Sequence, residues 1–233
     1  MGQGDRYLGS FEIGPRGLSP WFKTGLCPTL RCQMIKLIRK IPGFVLSLVF
    51  GILLGAIAKY LDTVSVDGSW GNYILSYSGD IFTRLGIWVL IGTILAAYSK
   101  TLLRAALNMF LFFIGMLISY YVYSAYLFGF FPTSYFLLWG SIAIVSPFLA
   151  MIVWIAKNDP RLAFVLPALP MGLLLSLALG IGLFYVDVSY VEELMMYIVL
   201  CIIFYKTGKQ MAIVVILSFV VAIIFGLYSP IQF

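Results

Sequence analysis

The chain has 233 residues, of which 62% are hydrophobic and only 10% are charged. A soluble domain carries about a quarter of its residues as Asp, Glu, Lys or Arg, and a water-soluble fold of this size could not bury so much apolar surface. The composition and the formal net charge of +6 therefore predict a protein of the lipid bilayer with basic connections, and they exclude a secreted enzyme, a nucleic-acid-binding protein and a disordered chain.

The N-terminal part contains Gly, Pro, Arg and scattered aromatic residues without a sustained period. We predict that residues 1–40 form a basic, poorly ordered cytoplasmic extension. Met34 opens a short basic segment directly before an apolar run, which predicts a translation start there and leaves residues 1–33 outside the native protein.

Residues 41–229 are predicted to form one domain of all-α class, a polytopic transmembrane helix bundle. A helix needs about 20 residues to cross the hydrocarbon. The sixth apolar segment is short, and it crosses only if Glu192 and Glu193 lie at the outer rim or face the protein interior. The bundle therefore has seven helices, or six if that segment does not cross, and the apolar segments are 41–61, 81–99, 102–127, 134–156, 162–186, 190–205 and 211–229.

Charged residues alternate between the connections in a way that predicts orientation. Basic residues precede the first helix and recur in every second connection, at Lys100, Arg104, Lys157, Arg161, Lys206 and Lys209. The other connections carry acidic residues instead, at Asp62, Asp67, Asp80 and Asp187. By the positive-inside rule the N-terminus is cytoplasmic and, with seven crossings, the C-terminus is outside.

The first helix allows a second interpretation. With Met34 as the start, the run Ala56-Ile57-Ala58 resembles the cleavage site of a signal peptide. The apolar run from Ile41 to Ala58 is longer than the usual core of a signal peptide, about 7–15 residues, and this favours a retained helix.

Small residues recur at every fourth position of the first helix, at Gly43, Ser47, Gly51 and Gly55. Small side chains at this spacing let another helix approach closely, so we predict that this stripe faces protein. Lys59 is the next position on the same row and is expected to point inward; alternatively it anchors the helix end or pairs with Asp62.

Arg84 breaks the charge rule, because it lies on the acidic side near the start of the second helix. Charged residues within a membrane are candidates for function, although an ion pair with Asp80 that caps the helix is an equally good explanation. In the third helix, Tyr120 and Tyr123 share one face, which predicts either the wall of an outward cavity or an interfacial aromatic belt. Asn108 is a candidate for an interhelical hydrogen bond.

The fourth and fifth helices contain breaks. Ser146-Pro147 lies near the middle of the fourth, Pro167 to Gly172 interrupts the fifth, and Gly180 and Gly182 loosen its outer half. Interrupted helices expose backbone groups that can bind a ligand at membrane depth, while kinks that only serve packing give the same pattern.

Several enzyme classes are excluded by missing residues. The chain has no histidine, which removes serine proteases with a Ser-His pair and zinc proteases of the H-E-x-x-H type. Glu192-Glu193 lacks the arginine of the E-E-x-x-x-R element, and Gly79-Asp80 lacks the full G-x-G-D motif of aspartyl intramembrane proteases. The three cysteines show no C-x-x-C spacing and are expected to be free thiols. We therefore predict no enzyme activity, no metal and no cofactor.

Three stretches, Ser99–Ser124, Gly51–Asp62 and Leu169–Leu175, resemble an uncharacterised family of small bacterial multi-pass membrane proteins, known only as a domain of unknown function. The resemblance implies a bacterial cytoplasmic membrane and no particular activity. In architecture alone, the chain is similar to the substrate-binding subunits of energy-coupling-factor vitamin transporters, from which the seventh crossing departs.

Two functions are compatible with these features. The first is a non-enzymatic protein that binds or translocates a small solute of some negative character from the outside. Its site would consist of Lys59, Arg84, Tyr120, Tyr123, Glu192 and Glu193. The alternative is an interaction or assembly subunit that docks a partner through the stripe from Gly43 to Gly55. The expected partners are the lipid bilayer, a small solute or another membrane subunit, and no nucleic acid.

Overall fold

The computed structural model describes residues 43–64, 69–129, 133–181 and 186–228. The predictions for residues 1–40, including the start at Met34, lie outside these ranges. Within them the chain is helical apart from a short hairpin of two antiparallel strands, which pairs Leu179 with Val188 and Ile181 with Val186. An all-α fold is therefore confirmed.

Eight helices follow one another along the described residues. They are α1 (Gly43–Asp62), α2 (Trp70–Thr83), α3 (Leu85–Ala97), α4 (Leu102–Phe128), α5 (Thr133–Asn158), α6 (Ala168–Ala178), α7 (Val191–Phe204) and α8 (Gly208–Tyr228). A 3₁₀ turn at Leu162–Phe164 precedes α6, and the strands β1 (Leu179–Ile181) and β2 (Val186–Val188) join α6 to α7.

Four of these helices, α1, α4, α5 and α8, are long and apolar enough to cross a membrane. The pair α2 and α3 gives a fifth candidate crossing, bent by 68° at Arg84. The outward faces of the long helices carry large exposed apolar side chains, such as Leu53 of α1, Ile144 of α5 and Ile216 of α8. Such faces are expected for a surface covered by lipid. The described residues thus have the character of a multi-pass membrane protein with four or five long apolar segments, and seven crossings stay a prediction.

Two segments differ from the expected helices. Residues 70–80 were expected to form part of a connection, but they belong to α2, whose first turn is capped by the Ser69 side chain accepting from the Asn72 backbone N–H. The apolar segment 162–186 was expected to be one interrupted helix, but α6 has only 11 residues. The helix α6 ends at Ala178, because Leu179 takes an extended conformation and begins the pairing of β1 with β2.

The stripe of small residues on α1 packs against α4 of the same chain. A Cβ added at Gly51 would meet the Phe112 carbonyl oxygen at 2.1 Å, and one added at Gly55 would meet the Met116 carbonyl oxygen at 2.4 Å. The Ser47 side chain is buried, whereas Gly43 has open space beside it. The stripe faces protein as expected, but Gly51 and Gly55 are already covered and do not leave a surface for a partner helix.

The contacts of α1 with α4 also show the direction of the chain. Gly51 lies against Phe112 and Gly55 against Met116, so the two helices run parallel. The chain must therefore return between them, and α3 makes this return, since Gly92 of α3 lies against Met109 and Trp88 against Phe112.

One end of the bundle collects basic residues, and we call it the basic end. Lys157 of α5 donates to the Ile203 carbonyl in the last turn of α7 and lies 5.6 Å from the centre of the Tyr98 ring, which follows α3. Trp154 of α5 donates to the Ser99 carbonyl at 2.9 Å. The C-terminal ends of α3, α5 and α7 therefore lie at one level, with Lys100 and Lys206 in the adjoining connections. The opposite end, where Asp62 and Asp80 lie, is called the acidic end.

Candidate functional site

Arg84 occupies the break between α2 and α3. Its backbone is extended, with φ −81° and ψ 150°, so it ends one helix and precedes the next. Its Nε donates to the Asp80 backbone carbonyl at 3.3 Å. The sequence left an ion pair between the Arg84 and Asp80 side chains as an alternative. In the structure Arg84 contacts the Asp80 backbone instead, and its guanidinium faces α7.

Two glutamates at the start of α7 receive this guanidinium. Nη1 of Arg84 lies 3.0 Å from Oε2 of Glu193 and 3.4 Å from Oε2 of Glu192. The ring of Tyr190 lies on the other side, with its centre 4.2 Å from Cζ of Arg84. The structure therefore brings together three residues that the sequence singled out, Arg84, Glu192 and Glu193, and adds Tyr190. We call these four residues the arginine cluster.

Glu193 is buried because a glycine makes room for it. Its side chain is 2% exposed. A Cβ added at Gly86 would lie 2.8 Å from Cγ and 3.2 Å from Oε1 of Glu193. Sequence reasoning missed Gly86 and Tyr190, although a glycine two residues after an outlying arginine was a visible signal. The carboxylate also lies in the first turn of α7, where the helix dipole favours negative charge.

The arginine cluster lies about 20 Å from the basic end, which is less than the thickness of the hydrocarbon core of a membrane. Arg84 and Glu193 lie at the N-terminal ends of α3 and α7, which have 13 and 14 residues and whose other ends meet at the basic end. At 1.5 Å per residue these helices are about 20 Å long, whereas the hydrocarbon core is about 30 Å thick. With the basic end at one edge of the hydrocarbon, the cluster lies about 10 Å short of the other edge.

A second charged group lies at the acidic end of α1. Nζ of Lys59 is 2.7 Å from Oδ2 of Asp62, and the Tyr120 hydroxyl donates to the same oxygen at 3.3 Å. Lys59 is only 6% exposed and lies 5.0 Å from the centre of the Tyr120 ring. The ion pair between Lys59 and Asp62, which the sequence left as an alternative, is therefore present. The Lys59 side chain also points inward.

Tyr123 differs from Tyr120. Both are half-buried on α4, but among the described residues Tyr123 makes no hydrogen bond to either charged group. Asn108, the other polar residue singled out on this helix, donates to the Ser99 hydroxyl at 3.1 Å and so joins α4 to the end of α3.

Both cations, Lys59 and Arg84, are paired with carboxylates. Lys59 has the Asp62 carboxylate, and Arg84 has two carboxylates, so the arginine cluster has a formal charge of −1. An isolated positive charge was the reason for expecting a solute of negative character. The pairing of both cations with carboxylates removes that reason.

A small cavity adjoins the arginine cluster, where the ends of α3, α6 and α7 converge. It has room for water, but a metabolite would need a pocket of several hundred Å3. A larger solute would bind only if these helix ends moved apart. The lining residues are Arg84, Leu85, Gly86, Leu177, Tyr190 and Glu193.

Within the described part of the chain, no group of three or more Cys, Asp and Glu residues is arranged to hold a metal ion. A scan against protein-family models finds no match, and searches of the curated proteins and of the solved structures find none either. The resemblance to a family of bacterial membrane proteins therefore stays a prediction, and the candidate site is argued from its geometry alone.

Proposed function

We propose that this chain is a multi-pass membrane protein that binds or translocates a small solute from the acidic end, as a transporter or as the substrate-binding subunit of one. It would do so without covalent chemistry. The observation that carries the proposal is the buried ion pair between Arg84 and Glu193, which lies where helices are interrupted.

A contribution to the stability of the fold does not by itself explain a buried ion pair. Removing two charges from water costs several kcal/mol per ion, and well-packed apolar residues often do as well or better. Ionisable residues inside membrane proteins accordingly mark pathways of ions and substrates. Around the cavity beside the arginine cluster, three separate short helices contribute their ends, as in transporters whose broken helices surround a midplane site.

The small size of the cavity indicates how binding would proceed. A solute with an amino or guanidino group would take the place of Arg84 beside Glu192 and Glu193, while α3 or α7 moves away. The −1 formal charge of the cluster favours this class of solute over a simple carboxylate. A zwitterion would satisfy both partners of the separated pair.

The membrane topology belongs to the same proposal. We propose that the basic end faces the cytoplasm, because Lys and Arg mark cytoplasmic connections. The chain then crosses five times, or seven times if α6 and α7 each cross, and both counts are odd. The C-terminus lies outside in either case, and the expected location is a bacterial cytoplasmic membrane.

A binding screen tests the proposed site. Purified full-length protein in lipid nanodiscs is heated with single amines, amino acids and carboxylates, and the shift in unfolding temperature is recorded. A solute at about 100 times its dissociation constant stabilises by about 2.7 kcal/mol. We expect amines or amino acids to raise the unfolding temperature of the wild-type chain. The double variant Arg84→Gln/Glu193→Gln, which removes both charges together, should lose that shift.

Arg104→Gln is the matched control, because it removes an exposed arginine at the basic end. It should keep the full shift. The site assignment would be wrong if the double variant responded as the wild type does. The solute-binding function itself would be contradicted if no solute stabilised the wild type and native mass spectrometry of protein extracted from its own membrane found only lipid bound.

A further inference from the structure

The helix α2 has one face turned away from the protein. Trp70, Tyr73, Ile74 and Tyr77 occupy positions i, i+3, i+4 and i+7 of a single helix face and are exposed, Trp70 to 84%. A second face of the helix, formed by Asn72, Leu75, Ser76 and Gly79, is half-buried or buried. A Cβ added at Gly79 would lie 3.0 Å from the Leu61 carbonyl oxygen, so this second face packs closely on α1.

The composition of the exposed face is typical of a membrane interface. Trp and Tyr are enriched where the hydrocarbon meets the headgroups, because their rings are apolar and their N–H or O–H group is polar. The rest of α2 includes Asp80, an exposed carboxylate that would be costly in the hydrocarbon core. Such a sequence fits neither a fully solvated helix nor a central membrane span.

The direction and depth of α2 agree with this composition. It turns by 68° from α3 at Arg84, so the two helices do not continue along one line. If the basic end lies at one edge of the hydrocarbon, the length of α3 places Arg84 about 10 Å below the other edge, at the acidic end. Interfacial helices bury their apolar face about 5–10 Å into the boundary between headgroups and acyl chains, which is the same region.

We propose that α2 is an interfacial helix that lies in the plane of the membrane at the acidic end. Its partner is the lipid at the headgroup boundary, which the face of Trp70, Tyr73, Ile74 and Tyr77 contacts. The inference goes beyond solute binding, and it requires only that the bundle spans a bilayer with α3 as its return.

Depth measurement by spin labelling tests the inference. Single cysteines replace Trp70, Tyr73, Ile74 and Tyr77, one at a time, in a full-length chain whose Cys27, Cys32 and Cys201 are changed to Ala. The labelled proteins are reconstituted in phosphatidylcholine–phosphatidylglycerol nanodiscs. Collision with oxygen and with a nickel chelate then gives the depth of each label. The labels on α2 should all lie at one shallow depth, within a few ångströms of each other.

The helix α5 supplies the matched control, because Leu137, Ile144 and Phe148 are exposed along a long apolar helix. Between Leu137 and Ile144 the depth should change by about 10 Å, the rise of seven residues. The inference would be overturned if residues 70 to 77 showed this same gradient, which would make α2 the first half of a broken span. It would also be overturned by high nickel access at all four positions, or by low access to both reagents, which would indicate water or a protein partner.

Discussion

Glu193 of α7 lies 3.0 Å from Arg84 at the start of α3, although 109 residues separate them in the sequence. The pair joins two helices that are each too short to cross a membrane by the usual length. Because Glu193 has almost no exposure and Arg84 is also held by Glu192, the contact depends on the relative position of α3 and α7.

The first prediction concerns the ion pair itself. Glu193→Gln leaves the guanidinium of Arg84 without its closest carboxylate, and loss of one partner of a buried pair costs roughly 3 kcal/mol or more. The double variant Arg84→Gln/Glu193→Gln should lose less than the sum of the two single variants. Unfolding free energies from a denaturant titration in mild detergent, combined in a double-mutant cycle, measure the coupling.

Glu192→Gln is the control for this cycle, because its carboxylate is farther from Arg84, at 3.4 Å, and more exposed. It should cost less than about 1 kcal/mol. Additive effects of Arg84→Gln and Glu193→Gln would contradict a direct interaction between the two side chains.

The second prediction concerns Gly86. Alanine at this position places a Cβ 2.8 Å from Cγ of Glu193, so the glutamate side chain must shift away. We expect Gly86→Ala to weaken the coupling between Arg84 and Glu193 in the same cycle. Gly140→Ala is the control, since its Cβ meets nothing within 4 Å and α5 gains a better helix former. Unchanged coupling in the Gly86→Ala background would show that this glycine does not make room for the glutamate.

The third prediction concerns the contact between α1 and α4. Gly51→Leu and Gly55→Leu direct a side chain at the backbone carbonyls of Phe112 and Met116, and overpacking of this kind costs about 1–3 kcal/mol or more. Both variants should therefore yield little monodisperse protein in size-exclusion chromatography. Gly43→Leu should behave as the wild type, because open space lies beside Gly43. Well-folded Gly51→Leu protein that had lost only a bound partner would restore the docking hypothesis.

The fourth prediction concerns sidedness. Single cysteines at Thr63 and Gly129 should react with a membrane-impermeant maleimide added to intact cells, whereas a cysteine at Asn158 should react only after permeabilisation. These positions lie at opposite ends of the bundle in connections or helix ends. The reverse pattern would invert the topology. A cysteine at Ser189, beside the hairpin, distinguishes seven crossings from five. It is exposed on the outside only if α6 and α7 both cross the membrane.

The long apolar helices and the local ion pair could be predicted from the sequence. The segments 41–61, 102–127, 134–156 and 211–229 correspond to α1, α4, α5 and α8 within a few residues. Lys59 and Asp62 are three residues apart, so a helix alone brings them together. In contrast, Gly68, Gly71, Gly79 and several serines around residues 68–80 are typical of a loop. The cap by Ser69 and the packing of Gly79 on Leu61 make this segment a helix.

Hydropathy and charge act locally along the chain, so the residues alone identify a membrane protein, the positions of its long helices and the exceptional charged residues. The pairing of Arg84 with Glu193 instead of the Asp80 side chain depends on tertiary packing. The same holds for the cover of α4 over the glycine stripe and for the end of α6 at Ala178. These outcomes depend on which helix ends converge, and no local spacing encodes a contact between residues 109 positions apart.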